Sequence, residues 1–538
     1  MSAEIEEGRL VRPFIFIFLF AITLGMVPLQ IYGADSSAGD ITFTINQFDV
    51  VGYTKLTPNE IDHVLEPYVG TNKTAQDVEA ARIALERTYH KKGYPTALVN
   101  IPEQTVESGI VQLQVIESNI RRVRITGNKY FTMESILKKM PSFRPGEILY
   151  LPEIRQELAS VNSHPDIKVA PVLVPGKELG TVDVELKVKD KLPLHGSIEL
   201  NNQNTHDTTD LRLNALIRYD NLWQKEHSIT FQYQMSPEDT EEVKAMAASY
   251  VMPAFWNPEQ ITALYGVVSD SEVAFGQGFQ TVGKGYIIGF RNVIPLPSKK
   301  NYTHSLSLGF DYKDFDDTLA FVDGEDETET QIKYLPLSVS YNSMLNHHAG
   351  STKFIIGVNA VLRGLVSERE EFEKKRSGSR GNYIYTTLGV ERYQSLPKDF
   401  QLLVKCDGQI SDQPLPSNEQ YLAGGLKIVR GYKENEEAGD NAIHGTVELS
   451  YQGMARLFGL PDWIAASPEV FYDIAALRLI DPLEGQDQPD DIAGAGAGIR
   501  GRISRYFEYE FSWGVALKDA SRTEKGNQEY YFVVKGQF

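Results

Sequence analysis

A membrane β-barrel of about sixteen antiparallel strands, preceded by two small α+β units, is the fold class the sequence predicts. Three observations predict it. From residue 193 onward, segments of roughly ten residues alternate apolar and polar side chains with a period of two. The connections between them alternate between short ones, such as "SLPKD" at 395–399, and long acidic ones, such as "FDDTLAFVDGEDETET" at 315–330. Residues 41–190 contain an internal duplication.

At the N-terminus, Arg9 and Arg12 precede the apolar run "PFIFIFLFAITLGMVPLQIYGA", and small residues follow at Gly33 and Ala34. Pro28 interrupts the run well short of the ~20 residues a membrane helix needs. Residues 1–34 therefore read as a signal peptide, with everything after it exported.

The duplication predicts one unit over 41–117 and a second over 118–190. Placing Gly52 over Gly127 sets Leu56 on Phe131, Thr57 on Thr132, Ile61 on Ile136 and Leu65 on Met140. Thr57 and Thr132 are expected N-caps of a short helix in each copy. Thr74 caps a longer helix with Val78, Ala81, Leu85 and Tyr89 on one face, ended by His90, Lys91, Lys92 and Gly93. Each copy closes in strands, "IVQLQV" at 110–115 and "TVDVELKV" at 181–188.

The barrel is expected over 193–538. In "LRLNALIR", Leu211, Leu213, Ala215 and Ile217 oppose Arg212, Asn214 and Arg218; "SLSLGFDYK" and "YFEYEFSWGVAL" repeat the pattern with aromatic tips. Aromatic-tipped apolar faces fit the interfacial girdles of a transmembrane barrel better than a soluble sandwich. A mean hydropathy of −0.28 suits such strands and excludes a bundle of membrane helices. The final segment "EYYFVVKGQF" places Tyr530, Phe532, Val534 and Phe538 on one face, which predicts the barrel-closing strand.

Charge and motifs narrow the function. A net charge of −19, from 72 acidic and 53 basic residues, argues against nucleic acid as a partner. The single cysteine, Cys406, permits no internal disulfide and no cysteine metal cluster. "GFQTVGK" (278–284) has phosphate-loop spacing but is followed by Gly285 and a strand pattern. Gly496, Gly498 and Gly501 match a dinucleotide fingerprint but lie inside a strand, where glycine permits close packing. His347 and His348 read as turn residues. "SEREEFEKKR" (367–376) reads as a solvated loop or short helix. No catalytic constellation stands out, so no enzyme activity, cofactor or metal is expected.

The stretch "LAGGLKIVRGYKENEEAG" (422–439) lies in a long extracellular-side connection and approaches a lone arginine through apolar residues. If the loop folds into the lumen, Arg430 needs a carboxylate, because an unpaired buried charge costs several kcal/mol. In "EVFYDIAAL", Val470, Tyr472 and Ile474 share the apolar parity, so Phe471, Asp473 and Ala475 face inward. Asp473 is the expected partner.

A V-R-G-[FY] loop (Val429, Arg430, Gly431, Tyr432) followed by an F-x-D-x-G strand (Phe471, Asp473, with Ala475 in place of glycine) resembles the paired motifs of the BamA-like outer-membrane superfamily. The two N-terminal repeats resemble its POTRA domains. Two of them, with "IPEQTVESGIVQLQVIES" in the first, resemble the two-partner secretion transporters (TpsB) of the ShlB/FhaC/HecB hemolysin activation/secretion type. The resemblance implies an outer-membrane pore of a Gram-negative bacterium with periplasmic POTRA domains. Such a pore captures the N-terminal secretion domain of one large TpsA-like exoprotein and threads it through the barrel without nucleotide hydrolysis. It further implies contact with outer-membrane lipids and insertion by the barrel assembly machinery. An insertase of the same superfamily, a passive porin and an adhesin are the alternatives.

Overall fold

The computed structural model describes residues 41–106, 108–270, 273–275, 279–281, 284–319, 328–482 and 487–538. The expected signal peptide lies outside them, as do parts of the 278–284 motif and of the acidic loops at 315–330 and 481–491.

In the first repeat, strands Gln47–Val51, Ile110–Glu117 and Ala97–Asn100 form a sheet in that order. The first pair is parallel and the second antiparallel. Helices Pro58–Leu65 and Ala75–Lys91 begin where the threonines predict. Glu60 reaches back to the Thr57 amide at 3.0 Å and Asp77 to the Thr74 amide at 2.8 Å. These reciprocal bonds satisfy donors that helix starts leave open. Leu56, Ile61, Leu65, Ala81, Leu85 and Tyr89 meet Ala97, Val99, Leu113 and Val115 in one core. Each large apolar side chain buried there contributes about 1.5–3 kcal/mol. Strands Phe43–Ile45 and Gly70–Lys73 add a two-stranded ribbon that periodicity did not predict.

The second repeat shares the three-stranded sheet and the two helices. Strands Asn119–Thr126, Thr181–Asp190 and Ile167–Pro175 form its sheet in that order, with helices Met133–Lys138 and Leu151–Asn162. Thr132 Oγ1 accepts from Ser135 N at 3.2 Å, as its cap position predicts. Phe131, Ile136 and Met140 are buried as their counterparts are. The glycines that align the copies are also equivalent in space. A Cβ on Gly52 would run into the Val115 carbonyl, and one on Gly127 into the Val188 carbonyl.

Two residues beyond each of those valines, a carboxylate collects the amides that follow the glycine. Glu117 accepts from Thr54 N (2.7 Å), Lys55 N (2.8 Å) and the Thr54 hydroxyl. Asp190 accepts from Lys129 N (2.8 Å), Tyr130 N (2.7 Å) and Phe131 N (2.9 Å).

Seventeen paired segments close the barrel, and two of them are halves of one strand, which leaves sixteen strands. The divided strand comprises Thr328–Tyr334 and Pro336–His347, both paired with Tyr302–Leu319. Pro336 brings no amide hydrogen to the ladder at the break. Closure joins Gln528–Gln537 to Leu194–Asn201, from Val533↔Asn201 to Gln537↔Ser197. Phe538 continues the seam, donating to the Gly196 carbonyl at 3.0 Å. Its ring occupies the space a side chain at 196 would need, so Gly196 admits the terminal aromatic. Tyr530 and Phe538 face outward and are 64% and 68% exposed, as the expected apolar outer face requires.

The charged run at 367–376 corrects the solvated reading. It forms the helix Arg369–Lys375, and its Phe372 is 1% exposed. Phe372 packs against Tyr334 and Tyr383 with ring centroids 6.0 and 6.2 Å away. Beside that cluster, Glu419 accepts from Tyr334 Oη (2.8 Å) and Tyr385 Oη (2.7 Å) and pairs with Lys313. One aromatic inside a charged segment finds a prepared apolar site that no local pattern reveals.

Candidate functional site: the arginine loop

The loop joins strand Phe400–Ser411 to strand Asn441–Tyr451. It narrows through a hairpin of Tyr421–Ala423 with Glu437–Gly439 and carries Val429, Arg430 and Tyr432 at its tip, all buried. The apolar approach "GGLKIV" is thus packing surface. Ala423, Val429 and Tyr432 join Ala475, Leu477, Ile492 and Ala516 of the wall in one cluster.

Two kinds of glycine shape the tip. Gly431 has φ +107°, a left-handed conformation that side chains disfavour, and a Cβ there would lie 2.7 Å from the Val515 carbonyl carbon. Beneath it the wall is cut away. A side chain at Gly494 would strike the Arg430 carbonyl, and one at Gly514 would meet Gly431 N at 2.6 Å. Gly494 lies in strand Ile492–Ile503, just ahead of the stretch that imitates a dinucleotide motif, and with Gly514 it seats the loop.

Arg430 meets Asp473 as a fork. Nε donates to Oδ2 at 2.7 Å, Nη2 to Oδ1 at 2.9 Å, and the Arg430 amide adds a bond to Oδ2 at 3.2 Å. The remaining nitrogen, Nη1, donates to Glu448 Oε2 at 3.1 Å and lies 3.6 Å from Glu469 Oε1. The guanidinium stacks on Phe471, 3.4 Å from the ring centroid. Register explains the convergence. Glu448 is opposite Phe471 and Thr446 opposite Asp473 on adjacent strands, so these side chains share the inner face. Ala475 is fully buried on that face, in one cluster with Val429 and Tyr432 of the loop.

The motif's aromatic is anchored too. Tyr432 Oη donates to a backbone carbonyl and lies 3.0 Å from Ala493 O and 2.8 Å from Lys518 O. Tyr531 Oη accepts from Gly431 N at 2.9 Å and donates to Tyr432 O at 2.6 Å. His444 bridges Asp407 Oδ1 (2.9 Å) and the Ile428 carbonyl (2.7 Å).

Val429, Arg430, Gly431, Tyr432, Phe471, Asp473 and Ala475 thus come together as expected. Tyr530, Phe532, Val534 and Phe538 do not join them. The closing strand turns Tyr531 to the loop instead. Sequence reasoning missed Tyr531, Glu448, Glu469 and Gly494. Glu448 was legible, since His444, Thr446, Glu448 and Ser450 alternate against Val447 and Leu449. Tyr531 was not, because nothing local marks a tyrosine that serves a loop a hundred residues away.

Among the described residues, Asp166, His195 and Asp220 bring potential metal-ligand atoms close together. Both carboxylates already have cationic partners, Lys191 Nζ at 3.1 Å from Asp166 and Arg218 Nε at 3.1 Å from Asp220. His195 Nε2 bridges them, 2.9 Å from Asp166 and 3.4 Å from Asp220. The cluster reads as an ion-pair knot.

Comparison with known proteins agrees with this architecture. Residues 43–118 match the POTRA domain of ShlB type, and residues 180–501 match the family described as haemolysin secretion/activation protein ShlB/FhaC/HecB. The heme/hemopexin transporter protein HuxB of Haemophilus influenzae is 20% identical over 384 residues, 70% of this chain and 66% of that protein. The outer membrane transporter CdiB of Dickeya dadantii is 22% identical over 430 residues, 78% of this chain and 74% of that protein. The structure of CdiB from Escherichia coli superposes with a TM-score of 0.63 at 20% identity, covering 94% of this chain and 93% of that one. BamA from Haemophilus ducreyi lacking POTRA domains 1–3 gives 0.55 at 16% identity, covering 92% and 100%. The chain belongs to the ShlB/FhaC/HecB haemolysin secretion/activation family, as an outer-membrane β-barrel protein with a periplasmic POTRA region.

Proposed function

We propose that the chain secretes one large partner exoprotein through its barrel, with the Arg430–Asp473 fork holding the inward loop in its working position. The observation that carries this reading is the loop itself: a family-typical barrel whose lumen is occupied by a segment clamped through a single guanidinium. A passive porin has no need of that clamp or of the repeats before it.

The division into POTRA units at 41–117 and 118–190 and a barrel at 193–538 assigns each step a place. An extended segment of the partner's secretion domain adds to an open sheet edge of a repeat, gaining main-chain hydrogen bonds. Ile167–Pro175 is one such edge, and its Leu173 and Val174 are exposed. The chain then threads the lumen, and folding outside the cell prevents its return, with no nucleotide hydrolysed. The outer wall contacts outer-membrane lipids, and the barrel assembly machinery inserts it.

Deletion in the native bacterium tests the reading. The expected result is loss of a single large protein from the culture supernatant. General depletion of outer-membrane proteins would instead identify an insertase, and a change confined to small-solute permeability a porin.

A further inference from the structure

Around the Arg430 guanidinium the wall presents three carboxylates, Asp473, Glu448 and Glu469, each at most 3% exposed. The fork to Asp473 accounts for one of them. Glu448 and Glu469 share the single nitrogen Nη1, at 3.1 and 3.6 Å. One cation against three buried carboxylates leaves two negative charges that a low-dielectric site does not tolerate. One further positive charge comes from strand Ile492–Ile503. Arg500 Nε lies 3.1 Å from Glu469 Oε2, and Arg500 Nη2 pairs with Glu448 Oε1. Glu469 makes no hydrogen bond to either of its carboxylate oxygens, so its two arginine ion pairs are what the structure offers it. Gly498, two residues before Arg500, makes room: a Cβ there would sit 3.2 Å from Glu469 Oε1. Glu510, directly across from Arg500 on the next strand, adds a fourth carboxylate to the face.

The two arginines differ in how they are mounted. Arg430 sits on a loop and its side chain is 6% exposed, whereas Arg500 sits on a paired wall strand and its side chain is 36% exposed to the lumen. We infer that Arg500 is a positioning residue for the Arg430 loop, acting through Glu448 and Glu469. It holds both carboxylates in place to receive Nη1, and it keeps a cation beside them when the loop leaves. Without it, every departure of Arg430 strands buried carboxylates, and every return meets carboxylates that have turned elsewhere. The inference rests on the reading of the loop as a lock in the lumen.

Pore conductance of the purified full chain in planar lipid bilayers tests it, with R430A as the reference for a released loop. Heat-modifiable migration in gels verifies that each variant is a folded barrel. R500A is expected to raise the fraction of open pores at least tenfold, and R500K to stay near wild type. Removing excess charge in R500A/E469Q, which leaves Glu448 to receive Nη1, is expected to restore most of the closed state. A purely structural wall contact predicts no such rescue, so failure of the double variant to close the pore overturns the inference. So does R500A conductance equal to wild type while R430A pores open. If R430A itself leaves conductance unchanged, the lock reading falls and the inference falls with it.

Discussion

Carboxylates organise both the repeats and the lumen, but with opposite chemistry. In the repeats, Glu117 and Asp190 bind backbone amides a few residues past equivalent glycines, and the device occurs twice at matching places. In the lumen, Asp473 binds chiefly a side-chain cation on a different element, with one longer bond from the Arg430 amide, and the device occurs in a single loop. A carboxylate on backbone amides stays as long as the local fold stays. A carboxylate on a guanidinium can exchange its partner without unfolding anything. The repeats therefore carry a brace built into each local fold, and the barrel one that joins two separate elements.

The sharpest way to break this comparison is charge reversal. R430D or D473R leaves like charges in a buried site, where breaking a pair costs about 3–5 kcal/mol. Each single variant should abolish secretion of the partner, and R430D/D473R should restore it in a supernatant assay. A backbone brace admits no such swap. D190A, its counterpart in the second repeat, should destabilise that unit by about 2 kcal/mol, since it leaves amides without an acceptor. Hydrogen exchange on the full chain reads this as lost protection at Lys129, Tyr130 and Phe131, with barrel amides unchanged.

Acid sharpens the same contrast. Burial raises the Glu117 carboxyl, but the Thr54 hydroxyl, the Thr54 and Lys55 amides and the Tyr89 hydroxyl outweigh it and hold it below the ordinary range. Burial likewise raises Asp190, and the Phe131, Tyr130 and Lys129 amides outweigh it. A folded value below the unfolded one means the stabilisation is complete above the unfolded value of about 4 and is lost as pH falls through the folded one. Protection of the five amides that follow the glycines should decay below about pH 4, and constant protection there would remove the brace from the account. The smallest effect is expected from Y531F, which loses two hydrogen bonds to the loop tip, about 1–2 kcal/mol. Secretion should fall severalfold without vanishing.

Much of this was legible in residues. The Gly52–Gly127 alignment predicted the equivalent caps and cores, and strand parity alone turned Asp473 inward. The acids at the ends of the repeats, Glu117 and Asp190, went unread because their ligands are amides, which carry no side-chain signature. Phe372 was hidden among charges, and Arg500 behind an apparent nucleotide motif.

The sequence by itself determined the period-two barrel and pointed to the duplicated repeats and to Asp473 as the carboxylate for an inward Arg430. Alternation and charge are local properties, and a buried guanidinium must find a carboxylate. Only the tertiary structure decided which glycines seat the loop, that Tyr531 anchors its tip, and that Arg500 shares its carboxylates. Those contacts join strands through register and closure, and that geometry exists only once the last strand meets the first.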